Sequence, residues 1–73
     1  MAFVGVARVE LHVPEARSLK AKRSPVRSLI DTIKSRHQVM AIESGHQDLY
    51  QRATLTICAL SSSRVDAESR LQR

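Results

Sequence analysis

The feature that most constrains the fold is a strict alternation of side chains at the start of the chain. One side carries Phe3, Gly5, Ala7, Val9, Leu11 and Val13, and the other carries Val4, Val6, Arg8, Glu10 and His12. A period of two, with many valines, predicts a β-strand with one buried face. Pro14 ends this strand because proline has no amide hydrogen for the next ladder position.

The segment that follows has helical spacing. At about 100° per residue, the apolar residues fall within a narrow arc, which contains Leu19, Val26, Ile30 and Ile33. Ser18 is a suitable N-cap. Pro25 removes a backbone donor, so either one helix is kinked there or Ser24 caps a second helix that starts at Pro25. Because Leu19 keeps phase with the later residues, we expect one continuous, kinked helix that ends near His37.

Two more strands and a short helix complete the pattern. Residues 38–44 form the second predicted strand, and residues 52–60 form the third, with Ala53, Leu55, Ile57 and Ala59 on one face. Ser63 is expected to cap a short polar helix, which would pack against the sheet through Val65 and Leu71. The order β-α-β-β-α predicts an α+β fold of the ferredoxin-like, split β-α-β two-layer kind, without its usual final strand. The first strand then has an open edge, which predicts a dimer or larger assembly, or else a truncated domain of low stability.

Length and composition predict one domain over residues 1–73. A chain of 73 residues buries only roughly 60% of its unfolded surface. Cys58 has no partner for a disulfide, and its place in a strand predicts a small buried residue in a reducing compartment. No run approaches the roughly 20 apolar residues of a membrane span. We therefore expect a cytoplasmic protein without membrane association and without a cofactor.

Positive charge is concentrated in the predicted first helix. Residues 17–36 carry seven Lys and Arg against one Asp, a charge of +6, whereas the rest of the chain sums to −1. On the helical wheel Lys20, Arg23, Arg27 and Lys34 form a stripe beside the apolar arc. Such a stripe attracts phosphates or acidic protein surfaces, although a solvated helix face has the same composition.

A polar cluster follows the second strand and has two interpretations. It contains His46, Gln47, Asp48, Tyr50, Gln51 and Arg52. Asp48 is suited to stabilise a hairpin loop by accepting hydrogen bonds from backbone amides, and Gly45 is expected to supply a positive φ. Alternatively, Glu43, His46 and Asp48 are possible ligands of a metal-dependent hydrolase, but no HExxH motif or Cys pair supports this. We expect no catalytic residue and no metal ligand.

RNA binding would have to rely on phosphate contacts. Phe3 and Tyr50 are the only aromatic residues, so a sheet platform for base stacking is missing. A Gly-rich phosphate loop is also missing. The predicted RNA contacts are the cations of the first helix, with strong salt dependence and little base specificity: Lys20, Lys22, Arg23, Arg27 and Lys34.

Residues 18–23 read S-L-K-A-K-R, and residues 45–53 read G-H-Q-D-L-Y-Q-R-A. These segments resemble the S-L-K-x-K-R signature and the G-H-Q-D-x-W/Y-Q-R-A stretch of the bacterial YlxP-like family. The resemblance implies a small ferredoxin-like domain without established enzymatic activity. The genes of this family often lie beside those for transcription-elongation, translation-initiation and ribosome-maturation factors. This chain departs from the family at Pro25, where a helix former is usual, and by lacking a further strand.

We therefore expect a non-enzymatic accessory protein that binds rRNA or a ribosomal particle through the basic stripe. The loop from His46 to Arg52 is expected to form a second contact or a structural clamp. The alternatives are a protein interaction module, acting as a homo-oligomer or on an acidic partner, and the hydrolase described above.

Overall fold

The computed structural model describes residues 1–72 as one antiparallel sheet with two helices on one of its faces. Its elements are β1 (Phe3–His12), α1 (Leu19–His37), β2 (Met40–Gly45), β3 (Arg52–Ser61) and α2 (Arg64–Leu71). β3 is central and pairs antiparallel with both neighbours, in the order β1-β3-β2. The predicted α+β, ferredoxin-like arrangement is confirmed.

β1 behaves as its alternation predicts. Burial alternates along its whole length, and it pairs with β3 from Phe3 opposite Ser61 to His12 opposite Arg52. Within residues 1–72 the other edge of β1 has no strand partner.

α1 is one continuous helix with Pro25 inside it, as expected from the phase of Leu19. The hydroxyl of Ser18 accepts a hydrogen bond from the amide of Ala21 at 3.0 Å and satisfies one of the free donors of the first turn. At the other end Gln38 adopts a left-handed conformation with φ of 54°, and its amide donates to the Lys34 carbonyl at 3.1 Å. This cap ends the helix where the sequence predicted.

The core between the sheet and the helices is thin. Its buried apolar residues are Ala16, Val26, Val39, Ala41, Ala53, Leu55, Ile57, Ala59 and Ala67, of which five are alanine. Leu55 is the one large side chain below 2% exposure among the described residues. The half-buried Val9, Ile30 and Ile33 pack around it. Much of the stability gained from burial therefore depends on Leu55 and its neighbours.

Two predicted core positions are wrong. Val65 is 74% exposed, because α2 presents Ala67 and Leu71 to the sheet and Val65 lies two residues, about 200°, around the helix from Ala67. Cys58 is only half-buried. The odd-numbered residues of β3 face the helices, so Cys58 lies on the opposite face of the sheet.

Truncation of Leu55 tests this account of the core. We expect Leu55→Ala to lower the free energy of unfolding by about 2–5 kcal/mol, since it opens a cavity that the alanine-rich surroundings cannot fill. Leu19→Ala is the matched control, because Leu19 is already 46% exposed, and it should cost less than about 1 kcal/mol. Urea unfolding followed by circular dichroism measures both. Equal losses in the two variants would contradict the assigned core.

Candidate basic groove

A groove of about 500 Å³ lies between α1 and β2. Leu19, Val26 and Ile30 contribute apolar surface from α1. The charged residues that line it are Lys22, Arg23, Arg27, Asp31 and Lys34 from α1 and Glu43 from β2. The α1 wall is therefore predominantly basic.

Lys22 lines this groove, and its ammonium group has four oxygen atoms within hydrogen-bond distance. Its ammonium donates to the Glu43 carboxylate Oε2 at 2.8 Å and to three backbone carbonyls, those of His46 at 2.9 Å, Leu49 at 2.6 Å and Arg52 at 3.0 Å. An ammonium group has three hydrogens, so one of these four contacts shares a donor. A single side chain thus ties α1 to β2, to the loop and to the start of β3.

Burial of Lys22 removes it from the predicted set of RNA contacts. Its side chain is 4% exposed, whereas that of its partner Glu43 is 24% exposed. A buried ammonium is tolerated only when its lost hydration is replaced, and here four oxygens replace it. These oxygens leave the ammonium without access to an external phosphate.

The helical phase of Lys22 could have revealed this role. Lys22 precedes Val26 by four residues and Ile30 by eight, so it lies on the apolar side of α1. A lysine in that position must either extend its ammonium to the surface or find internal acceptors. On the helical wheel Lys22 lies apart from Lys20, Arg23, Arg27 and Lys34, so its charge alone does not make it an RNA contact.

The loop between β2 and β3 differs from its prediction in two respects. The positive φ belongs to His46, at 56°, and no glycine in the described residues has one. Gly45 instead lies at a close approach: a Cβ there would lie 3.0 Å from both Cβ and Oγ1 of Thr54, so a larger residue would need Thr54 to shift by a few tenths of an ångström. The clamp is Lys22 rather than Asp48, because the Lys22 ammonium binds the carbonyls of His46 and Leu49 in the loop and that of Arg52 at its end.

Two of the three residues predicted as possible metal ligands, Glu43 and His46, have other partners, which differ from each other. Glu43 is paired with Lys22, whereas Nε2 of His46 lies 3.7 Å from Oε2 of Glu10. The same Glu10 oxygen accepts a hydrogen bond from the buried Thr54 hydroxyl at 2.8 Å. The described part of the chain contains no group of three or more His, Cys, Asp or Glu side chains that could hold a metal ion.

The other predicted loop contacts lie at the surface. The exposed residues are His46, Gln47, Asp48, Tyr50, Gln51 and Arg52. Gln47 lines the basic groove and donates to the Glu43 carbonyl at 3.1 Å, whereas Gln51 donates to the Pro14 carbonyl at 3.4 Å. The structure therefore brings Gln47 to the groove and turns Gln51 toward the β1–α1 connection.

Four of the predicted RNA contacts remain exposed on α1. These are Lys20, Arg23, Arg27 and Lys34, which we call the basic stripe. None of the four forms an ion pair with a carboxylate of residues 1–72. Three of them, Arg23, Arg27 and Lys34, line the groove. Within residues 1–72 the basic stripe is thus an exposed cationic surface whose members form no ion pair, although Asp31 and Glu43 line the same groove.

Replacement of Lys22 tests its role as the clamp. Lys22→Met keeps the length of the side chain but leaves Glu43 and three carbonyls without their donor, and we expect a loss of about 2–4 kcal/mol in the free energy of unfolding. We also expect faster proteolysis within residues 46–51. Lys20→Met removes the same charge from the exposed stripe and should change stability by less than about 0.5 kcal/mol. Similar behaviour of the two variants would rule out the clamp.

No helix in residues 1–72 is long and apolar enough to cross a membrane.

Comparison with known proteins places the chain in a family. The chain is 39% identical over 71 residues to the "Uncharacterized protein YlxP" of Bacillus subtilis (strain 168), a match that covers 97% of this chain and 77% of that protein. A family model described as "Protein of unknown function (DUF503)" matches residues 4–73. The chain therefore belongs to this YlxP-like family, DUF503.

Proposed function

We propose that this protein is a non-enzymatic accessory factor that binds the phosphate backbone of structured RNA, with rRNA in a cytoplasmic ribosomal particle as the target. The observation that carries the proposal is the basic stripe. Its four cations are exposed on one side of α1 and have no carboxylate partner within residues 1–72. Lys22, by contrast, is satisfied internally.

The dimensions of the stripe suit a nucleic-acid backbone. From Lys20 to Lys34 the helix rises about 21 Å, at roughly 1.5 Å per residue. A B-form DNA duplex presents one negative charge per about 1.7 Å of its axis with both strands counted, or one per about 3.4 Å on each strand. At a similar density, several phosphates of one RNA backbone lie within reach along this length. Neutralising them releases counter-ions, which makes such binding strongly salt-dependent.

Little base recognition is expected on this surface. Phe3 is half-buried on the face of the sheet that meets the helices, and Tyr50 lies in the loop. The open face of the sheet therefore carries no aromatic side chain for stacking in residues 1–72. Contacts from lysine and arginine to phosphates position an RNA without reading its sequence.

Charge reversal at single positions distinguishes RNA binding by the stripe from attraction by the net charge of the protein. Arg27→Glu and Arg36→Glu change the net charge equally and lie on the same helix, but only Arg27 belongs to the stripe. In a fluorescence anisotropy titration of a structured rRNA fragment, we expect Arg27→Glu to weaken binding at least tenfold and Arg36→Glu to weaken it less than threefold. The triple variant Arg23→Glu, Arg27→Glu, Lys34→Glu should abolish binding and retain the circular dichroism spectrum of the wild type.

The salt dependence provides a second readout of the same variants. For every bond to a phosphate that a substitution removes, the slope of log affinity against log salt should fall by about 1. Equal weakening by Arg27→Glu and Arg36→Glu would mean that net charge alone attracts the RNA, and unchanged binding by the triple variant would reject the stripe as the RNA-binding surface.

Sedimentation tests the ribosomal part of the proposal. In a sucrose gradient of gentle lysate, the tagged protein should migrate with a ribosomal particle at low salt and leave it at raised salt or after RNase treatment. A complex that survives RNase would favour the alternative, in which the stripe docks on an acidic protein. Recovery only at the top of the gradient under all conditions would contradict stable ribosome association.

A further inference from the structure

The loop between β2 and β3 carries an exposed aromatic side chain beside two surface cavities. This side chain belongs to Tyr50, which is 45% exposed. The first cavity, of about 370 Å³, is lined by Pro14, Arg17, Tyr50 and Gln51. The second, of about 270 Å³, is lined by Leu49, Tyr50, Gln51 and Arg52. Tyr50 therefore has room beside it for a ligand, and we call the surface formed by these residues the Tyr50 site.

The charge at the Tyr50 site is positive. Arg17 lines the first cavity and Arg52 the second, and both are exposed. Neither forms an ion pair with a carboxylate of residues 1–72, and no Asp or Glu of those residues lines either cavity. Nucleobases stack on tyrosine rings and on guanidinium planes, and arginine binds phosphates. A ligand that combines a planar ring with negative charge, as a nucleotide does, fits this set of residues.

Hydrogen bonds hold the backbone on both sides of Tyr50. On one side the Leu49 carbonyl accepts a bond from the Lys22 ammonium at 2.6 Å. On the other side the Gln51 carbonyl accepts a bond from the Val13 amide at 2.8 Å. The segment is thus joined to α1 and to the connection that follows β1. An aromatic side chain on such a fixed backbone loses less conformational entropy on binding than one on a mobile loop.

The Tyr50 site lies beside the start of the basic stripe. Arg17 directly precedes the N-cap of α1, and Lys20, the first residue of the stripe, follows three positions later. Three residues of chain span at most about 11 Å. This length corresponds to about three phosphates of one strand, at roughly 3.4 Å each. An RNA backbone on the stripe therefore brings its next nucleotides within reach of Arg17 and Tyr50.

We propose that the Tyr50 site binds an unpaired nucleotide of an RNA whose adjoining duplex lies on the basic stripe, with the base stacked on the ring of Tyr50. This inference rests on the proposed RNA binding and names the kind of RNA that is bound, a helix interrupted or ended by an unpaired base. Every base has a face that can stack on an aromatic ring. The site therefore recognises the shape of the RNA and adds little preference for its sequence.

The fluorescence of Tyr50 reports on stacking directly, because it is the one tyrosine of a chain without tryptophan. The probe is an RNA hairpin with a single-nucleotide bulge, and its control is the same hairpin with the base of that nucleotide removed. The two RNAs carry the same phosphates, so they differ only in the base available for stacking. We expect the tyrosine emission to lose most of its intensity with the bulged hairpin and little with the abasic one. Equal emission with the two RNAs would reject stacking on Tyr50.

Substitution of Tyr50 measures what stacking adds to the affinity. In an anisotropy titration, Tyr50→Ala should weaken binding of the bulged hairpin at least about fivefold, and it should leave binding of the abasic hairpin unchanged. Tyr50→Phe is the matched control, because it keeps the ring, and it should bind both RNAs as the wild type does. Arg27→Glu should weaken the binding of both RNAs to the same extent.

The outcomes distinguish this proposal from the proposed function. If Tyr50→Ala leaves the bulged hairpin bound as before while Arg27→Glu weakens it, the Tyr50 site is overturned and the stripe remains the RNA-binding surface. Equal weakening of both RNAs by Tyr50→Ala would also overturn stacking, since Tyr50 would then act on the structure of the loop. A wild type that binds neither RNA at low salt would overturn both proposals.

Discussion

The bonds from the ammonium group of Lys22 to four oxygens hold together the parts of this domain that the thin core does not. The helix α1 contacts the sheet through few large side chains, since five of the nine buried apolar residues are alanine. Lys22 joins this helix to Glu43 on β2 and to the carbonyls of His46, Leu49 and Arg52. These charge-assisted bonds are strong because they are shielded from water. The loop between β2 and β3 is thereby fixed against the helix that carries the basic stripe.

The sequence of α1 divides its positive charge between two roles. The position of each cation on the helix decides its role. Lys22 lies on the apolar side and is buried, whereas the cations of the neighbouring stripe are exposed to solvent. Three stripe residues line the same groove as Lys22, along its α1 wall. The proposed binding of RNA and the integrity of the fold are therefore expected to be separable, because they depend on different cations of one helix. The face of the sheet opposite the helices, with the exposed Val4, Val6 and Met40, is a third, distinct surface.

Most of the fold could be predicted because it depends on local patterns. Alternation predicted β1 and the buried face of β3, and helical phase predicted a continuous α1 despite Pro25. The helical phase of Lys22 indicates a buried ammonium group, but its partners could not be predicted, because they lie 21 to 30 residues away and three of them are backbone carbonyls that carry no sequence signal. The conformation at His46 was assigned to Gly45 for a related reason: the close approach of Thr54, a tertiary contact, explains the glycine.

The central claim, that the stripe rather than the sheet meets RNA, is tested most directly by titrating the isotopically labelled protein with a short RNA hairpin and following amide signals by NMR. The account predicts that the largest shifts fall on residues 20–34 of α1, that the signals of β1 and β3 on the open face stay in place, and that raised salt reverses the changes. Shifts centred on the open face of the sheet, or no shifts at low salt, would contradict it.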